Sequence, residues 1–481
     1  MAASDLVIVA NRLPVEARPD DNGCYHWHRS PGGLVSALEP AMMSRKATWI
    51  GWNGQYATTE GPQLPPVPER DEGGACRLVE VPLSREDVEA YYDGFANSAL
   101  WPLYHDAIAT PIYHRTDFEA YRRVNMAFAR IAANEASQGA TVWIHDYQLQ
   151  LVPAMLRSLR PDLRIGFFLH IPFPAADLFL QVPWRRALVL GALGADLVGF
   201  QTTGGARNFL ECAERLLGWP VDNHRISVPA GHGIRRTCQV GPFPISVDWS
   251  TITSIAQLPA TADRVREIRD ELGHPRTVLL GVDRLDYTKG IDVRLRAYTE
   301  LLHEKRLDPA HTVLIQVATP SRENVDEYQR IRDDVELIVS RTNGDLGQIG
   351  APAIHYIRQV QPLEELVALY QAADVMLVTP LRDGMNLVSK EYVASRIDDD
   401  GALVLSEFTG AARELTAAWL VNPYDADGVK DAIVSAAAAT QSNRRRRMRA
   451  MRDRVRNNDV QSWANEFLAN LAATTDSTSG R

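Results

Sequence analysis

Cysteine is scarce in this chain: four residues in 481, at Cys24, Cys76, Cys212 and Cys238. None forms a Cys-x-x-Cys pair or stands at a histidine spacing typical of zinc. That excludes a disulfide scaffold and a zinc knuckle, and predicts free thiols in a reducing cytoplasm. Long apolar runs are also missing. The most apolar stretch, 187–200, is broken by Asp196 and several glycines, well short of the roughly 20 residues a membrane span needs. No basic or long apolar segment precedes the strand-like 5–10, so no signal peptide is expected and the protein is placed in the cytoplasm. Positive charge is not in excess: 51 Lys and Arg against 60 Asp and Glu leave a net charge of -9. General binding to nucleic acid or to an anionic membrane is therefore not expected, and an anionic substrate would need a local basic cluster. Gly-x-Ser-x-Gly, His-Glu-x-x-His, Gly-x-Gly-x-x-Gly and Gly-x4-Gly-Lys-Ser/Thr do not occur. Their absence weakens hydrolase, zinc, dinucleotide and Walker-type readings.

What the chain does contain is a recurring pattern. Seven short apolar runs stop abruptly at polar residues: Val142-Trp-Ile at His145-Asp146, Ile165-Gly-Phe-Phe-Leu at His170, and Asp196-Leu-Val-Gly-Phe at Gln201. Val278-Leu-Leu-Gly-Val stops at Asp283-Arg284, Val313-Leu-Ile-Gln-Val leads toward Arg322, Val375-Met-Leu-Val-Thr leads to Arg382-Asp383, and Ala402-Leu-Val-Leu stops at Ser406-Glu407. Near-continuous apolar runs of this length read as strands buried on both faces of a parallel sheet. Ligands bind outside the carboxyl ends of such strands, where these polar residues fall. Strand and helix signals alternate throughout, the α/β pattern. At this length roughly two or three domains are expected. The alternation divides into 1–247 and 248–459, with 248–262 read as a linker and 54–75, rich in Pro, Gly and Glu, as a surface excursion. Residues 442–457 carry eight arginines, read as the solvated face of a late helix, with a nucleic-acid patch as the alternative. The tail 474–481 is rich in Ser and Thr and reads as frayed.

Two segments carry most of the chemistry. In Gly281-Val-Asp-Arg-Leu-Asp-Tyr-Thr-Lys-Gly290 a strand delivers Arg284, and Lys289 stands just before a glycine that opens a helix. Two cations at a helix N-terminus suit a phosphate; an Arg284–Asp286 ion pair with a solvated lysine is the plain structural alternative. In Thr379-Pro-Leu-Arg-Asp-Gly-Met-Asn-Leu-Val-Ser-Lys-Glu391, Asp383-Gly384 form a turn and Asn386 is placed to cap a helix. The amides of Met385, Asn386, Leu387 and Val388 then face a ligand, with Asp383 and Glu391 available to hydroxyl groups. The first half adds Asn11-Arg12-Leu13-Pro14, Ser30-Pro-Gly-Gly33, Tyr91-Tyr92, Trp101, His145-Asp146-Tyr147 and His170-Ile-Pro-Phe-Pro174.

Taken together, these segments resemble the trehalose-6-phosphate synthase family of retaining GT-B glycosyltransferases. The matching stretches also include Trp49-Ile-Gly-Trp, Leu100-Trp-Pro-Leu and Ala318-Thr-Pro-Ser-Arg, and they keep the family's order over nearly the whole chain. The resemblance implies an α/β fold of GT-B architecture, two Rossmann-like doubly wound domains facing a deep interdomain cleft, with a last helix at about 460–475 packing back on the first domain. It implies glucose transfer from a nucleotide-glucose to glucose 6-phosphate, giving α,α-trehalose 6-phosphate. Arg12, Tyr92 and Arg322 then correspond to an acceptor-phosphate clamp, and Trp101, Asp146 and Tyr147 to acceptor-sugar contacts. Arg284 and Lys289 correspond to diphosphate binders, with backbone at Gly33 and at Met385 to Val388. His170 and Asp383 correspond to contacts with the transferred glucose, and Glu391 to a ribose contact. The resemblance further implies no cofactor and no essential metal, and a homo-oligomer with a tetramer as one candidate form.

Two departures stand out. Ile171 follows His170 where relatives often carry a small polar residue. The segment Val360-Gln-Pro lacks the basic residues of uridine-preferring relatives, so ADP- and GDP-glucose stand beside UDP-glucose as donors. The chain ends soon after its expected last helix, so no phosphatase domain is expected to follow. The rival readings are a catalytically silent regulatory relative, another GT-B sugar-nucleotide enzyme, and a nucleic-acid binder built on the arginine run.

Overall fold

The structure, a computed structural model, describes residues 4–20, 24–29, 47–56, 65–70, 76–231, 234–322, 325–348 and 350–474. It divides into two compact units, Met1–Ile245 with Gln461–Arg481, and Ser246–Val460.

The first unit contains β1 (Ser4–Arg12), the hairpin β2 (Val15–Pro19) and β3 (Tyr25–Arg29), then β4 (Ala47–Trp52), β5 (Cys76–Glu80), β6 (Ala136–His145), β7 (Arg164–Leu169), β8 (Leu197–Phe200), β9 (Val221–Asp222), β10 (Arg225–Gly231) and β11 (Ile234–Pro242). All but the hairpin form one sheet in the order β5-β4-β1-β6-β7-β8-β11-β10-β9. From β5 to β11 the neighbours run parallel. Only the far edge, β11-β10-β9, is antiparallel. The second unit holds β12 (Thr277–Arg284), β13 (Thr312–Thr319), β14 (Ile354–Ile357), β15 (Val375–Val378), β16 (Ala402–Ser406) and β17 (Trp419–Val421). Its sheet is wholly parallel, ordered β14-β13-β12-β15-β16-β17.

The two sheets therefore share one topology. In each, the first strand lies centrally, the next two build outward on one side and the following three on the other, the doubly wound Rossmann order. The chain direction reverses between β1 and β6 in the first unit and between β12 and β15 in the second. Those two crevices are where α/β sheets place their ligands. All seven apolar runs form strands, and Val142, Trp143, Ile144, Leu279, Leu280, Leu377 and Val404 are fully buried, as two-faced burial requires.

The last helix, Val460–Ala473, belongs with the first unit. Phe467 stacks on Trp143 of β6 with ring centroids 4.5 Å apart and planes 5° from parallel. Trp463 donates its indole N–H to the Phe243 carbonyl at 3.1 Å. Burying such rings is the largest apolar contribution a single side chain makes, which explains why this helix departs from the unit that precedes it in sequence.

The 248–262 segment, expected as a linker, is helical. Asp248 caps Trp249–Ala256 by accepting from the Thr251 amide at 3.0 Å, and Pro259 opens Pro259–Glu271 at a position where its missing N–H costs nothing. The arginine run lies on helix Gln441–Asn457 as the sequence implies, with Arg445, Arg446, Arg449, Arg454 and Arg456 exposed. Arg444 pairs with Asp400 at 2.7 Å, Arg449 and Arg452 pair with Asp399 at 2.9 and 3.0 Å, and Arg447 lies 4.3 Å over Trp419, contacts that tether the helix within the second unit. Most of the excursion at 54–75 and the tail from 475 lie outside the described residues.

Candidate functional site

In the first unit the strand ends beside the β1–β6 reversal gather a polar and aromatic cluster. Arg12, at the end of β1, sits with its guanidinium 4.8 Å over the Trp52 ring, and Trp52 meets Tyr92 edge-on at 6.0 Å. The Trp49 indole donates to the Arg12 carbonyl at 2.9 Å, fixing that turn. Gly54 makes room for the guanidinium: at φ +90, a Cβ there would lie 2.1 Å from Arg12 Nη2. Tyr92 is delivered by a helix wound with π geometry over Val88–Leu100, a form often found at functional sites. The neighbouring Tyr91, fully buried, donates to Asn11 Oδ1 at 2.8 Å. The same helix runs into Trp101, whose ring lies 5.6 Å from Tyr147; Tyr147 in turn donates to Asn97 Oδ1 at 2.7 Å.

The end of β6 is strained. Asp146 adopts φ 74 and ψ 170, a region that costs a non-glycine residue on the order of 1–3 kcal/mol and that concentrates at functional positions. Bonds that hold it include its amide donating to the Phe168 carbonyl at 2.7 Å, its carbonyl accepting from the Leu149 amide at 3.1 Å, and its Oδ1 accepting from the His170 amide at 3.1 Å. His170 follows β7 and lies between His145 Nδ1 at 3.1 Å from its Nε2 and Gln201 Nε2 at 3.5 Å from its Nδ1. Burial depresses the imidazole of His170 to about 3, so the ring is neutral at physiological pH. His145 is also held well below the ordinary histidine value, by burial first and by the neighbouring ring second.

In the second unit, residues from both sides of the β12–β15 reversal meet. Lys289 Nζ bonds Asp383 Oδ2 at 2.6 Å, with the two side chains only 11% and 12% exposed. The lysine is thus not the solvated one of the plain alternative. Asn386 donates its side-chain amide to the same carboxylate at 3.2 Å and caps helix Leu387–Ser395 by accepting from the Ser389 amide at 3.0 Å. Gly290, left-handed at φ +57, ends this turn; a Cβ there would stand 2.2 Å from the Thr379 carbonyl oxygen, so the two strand-end loops touch backbone to backbone. Behind them Arg294 and Asp283 form a fully buried pair at 2.6 Å. Arg284 lies in front, 44% exposed, with its guanidinium 3.8 Å from Asp286 Oδ2. Arg322, only 5% exposed, reaches the same oxygen at 3.8 Å and also donates to the Tyr328 hydroxyl. Glu391 is held separately, accepting from the fully buried Tyr370 hydroxyl at 2.9 Å. Burial raises the Glu391 carboxyl above the ordinary glutamate range, and the Tyr370 bond partly offsets it.

The structure thus joins Arg12 with Tyr92, Trp101 with Tyr147, Asp146 with His170, Lys289 with Asp383, and Arg284 with Arg322. Met385 is buried, and its carbonyl accepts from the Ala411 amide at 2.9 Å. Gly33 lies outside the described residues. Val360 of the Val360-Gln-Pro segment is 55% exposed. His145 and Gln201, expected at ligand-facing strand ends, and Trp52 and Asp286, inside quoted motifs, carry no assigned role in the sequence; Asn97, Tyr328 and Tyr370 are new. Tyr328 and Tyr370 carry no local signal, because their partners lie 42 and 21 residues away.

Two Rossmann-like sheets, each with polar and charged strand ends at its chain reversal, fit the GT-B class of proteins. Comparison with known proteins narrows the class: the model of Glycosyltransferase family 20 matches residues 4–473, and the chain belongs to that family. It is 56% identical over 476 residues to the trehalose-6-phosphate synthase of Mycolicibacterium gilvum, covering 98% of this chain and 94% of that one. It is similarly 53% identical over 473 residues to the enzyme of that name from Mycobacterium tuberculosis, covering 98% and 95%. Among solved structures, the UDP-forming α,α-trehalose-phosphate synthase of Burkholderia vietnamiensis superposes with a TM-score of 0.89 at 36% identity, covering 100% of this chain and 99% of that one. The Burkholderia xenovorans enzyme in complex with glucose-6-phosphate gives 0.87 at 35%, covering 97% and 99%. The Escherichia coli protein bound with UDP-2-fluoro glucose gives 0.86 at 32%, covering 97% and 98%. No helix among the described residues is long and apolar enough to cross a membrane.

Proposed function

We propose that this glycosyltransferase moves glucose from a nucleoside diphosphate glucose to glucose 6-phosphate, releasing the nucleoside diphosphate and forming α,α-trehalose 6-phosphate. The observation that carries this reading is the cation group at the β12–β15 reversal. Lys289 and Arg284 stand where an α/β sheet presents a ligand, and each is aimed by a carboxylate. In the reaction, the acceptor's anomeric hydroxyl oxygen bonds the donor's C1 on the face the diphosphate leaves. The bond from C1 to the diphosphate oxygen breaks, and the hydroxyl proton passes to that departing oxygen. Negative charge grows on the diphosphate, and Arg284 and Lys289 stabilise it without needing to reorganise. No second carboxylate flanking C1 is required, unlike in a retaining glycosidase.

The remaining assignments follow the chemistry of each side chain. Arg12, Tyr92 and Arg322 take the acceptor phosphate; Trp101, Asp146 and Tyr147 take its sugar. Neutral His170 and Asp383 meet the transferred glucose. Glu391 takes the ribose, and the amides of Met385 to Val388, with Gly33, line the diphosphate. In this reading 1–247 with the last helix forms the acceptor unit and 248–459 the nucleotide-sugar unit, in a cytoplasmic homo-oligomer that needs no metal. UDP-, ADP- and GDP-glucose are the three candidate donors. Steady-state kinetics of Arg322→Ala and Arg284→Ala test the assignments. The first should raise KM for glucose 6-phosphate more than for the donor, and the second the reverse. Swapped effects would overturn them.

A further inference from the structure

Two of the proposed substrate cations, Arg284 and Arg322, converge on the carboxylate of Asp286. Its side chain is fully buried, and Oδ1 accepts from the Thr288 amide and hydroxyl at 3.0 and 2.8 Å. Those two bonds fix the carboxylate against the turn that ends at Lys289 and Gly290. Oδ2 is left for the cations: Arg284 and Arg322 each approach it to 3.8 Å, and the Tyr328 hydroxyl donates to it at 2.9 Å. Arg322 comes from the segment after β13 with a left-handed φ of 48, a backbone that needs a reason to persist, and its guanidinium also lies 5.4 Å from the Tyr328 ring centre. Burial alone would raise the Asp286 carboxyl; Arg284, Arg322 and Lys289 outweigh it and hold the group at about 2, so it stays charged at any working pH.

We propose that Asp286 is a positioning residue shared by both substrates: it orients Arg284 toward the donor diphosphate and Arg322 toward the acceptor phosphate, with Tyr328 as the brace between Asp286 and Arg322. The inference rests on the assignment of those two arginines given above. A buried carboxylate beside an anion site partly cancels the charge that attracts the anion, so it is costly unless it supplies geometry. What it supplies here is two long, rotamer-rich side chains already held in place, which removes an ordering cost from binding. The alternative, a simple counter-ion that substrate displaces, makes the opposite prediction. Neutralising such a counter-ion would strengthen anion binding, whereas neutralising a positioning group weakens it.

The test is titration calorimetry on the full chain with glucose 6-phosphate and, separately, with UDP, ADP and GDP. Wild type binding neither class of ligand would overturn both the functional reading and the proposal. Given binding, Asp286→Asn, which keeps an acceptor for the Thr288 amide, should weaken glucose 6-phosphate and the preferred nucleotide by about tenfold each, the scale of one charge-assisted contact. Its effect on glucose 6-phosphate should vanish in an Arg322→Ala background, and its effect on nucleotide in an Arg284→Ala background. A purely structural role would not produce that pattern. Tighter binding, unchanged binding, or effects that add in those backgrounds would overturn the proposal, even with the arginine assignments intact. Should Asp286→Asn fail to fold, Tyr328→Phe replaces it. It must weaken glucose 6-phosphate and leave nucleotide unchanged; wild-type affinity for glucose 6-phosphate, or an equal loss for both ligands, would refute the brace.

Discussion

Replacing Lys289 with methionine separates what the lysine does for the fold from what it does for the reaction. Nζ lies 2.6 Å from Asp383 Oδ2, and both side chains are nearly nine-tenths covered. Removing the cation leaves a buried carboxylate whose remaining side-chain support includes the Asn386 amide at 3.2 Å. Breaking one partner of a buried pair costs about 3–5 kcal/mol. Residual exposure and the Asn386 bond place Lys289→Met at the lower end, about 3 kcal/mol, or a fall of about 6–12 °C in the melting temperature of the second unit. Turnover should fall by about two to three orders of magnitude, the scale of losing one group that stabilises developing charge. Adding Asp383→Asn removes the carboxylate's charge as well. The double variant should regain most of the lost stability in thermal melting and none of the turnover in a nucleoside-diphosphate release assay. Near-normal turnover in Lys289→Met would refute the diphosphate role. Recovery of both properties in the double variant would show that Lys289 only neutralises Asp383.

Gly54→Ala should raise KM for glucose 6-phosphate and leave donor KM unchanged in steady-state kinetics, because the added Cβ would occupy the place of the Arg12 guanidinium at a φ of +90; the backbone strain adds about 1–3 kcal/mol of destabilisation. Acid should destabilise the first unit through its buried histidines. The folded value of His170, about 3, lies below the ordinary 6.5. Between these values the unfolded chain binds the proton and the folded chain does not, so stability is lost as pH falls, by up to about 1.4 kcal/mol per unit for one site. Urea unfolding across that window should show the slope in wild type and a shallower one in His170→Gln. An identical slope would remove His170 from the account.

Much of the fold was legible because parallel strands buried on both faces leave an apolar run with a polar stop, and all seven such runs became strands. β4 and β5 went unread: Trp49-Ile-Gly-Trp was noticed as a motif rather than as a strand, and β5, Cys76–Glu80, reads Cys-Arg-Leu-Val-Glu, with its apolar positions broken by charge. The 248–262 segment reads as a linker from its place between the two halves, although Asp248 and Pro259 are both helix-start signals. Within the site, residues at strand ends were legible as chemistry, yet their partners were not. That Lys289 faces Asp383 depends on β12 and β15 being neighbours, 94 residues apart in the chain. Strand order is a property of the whole sheet. Likewise Asp286 looked like the partner in a plain Arg284 ion pair until Arg322 and Tyr328 were seen to share it.

Mass spectrometry of the products from glucose 6-phosphate with UDP-, ADP- or GDP-glucose, in the presence of EDTA, is the sharpest test of the reaction. A disaccharide monophosphate should form with at least one donor, together with the matching nucleoside diphosphate. Folded protein that yields no disaccharide phosphate with any of the three donors would contradict the proposed reaction.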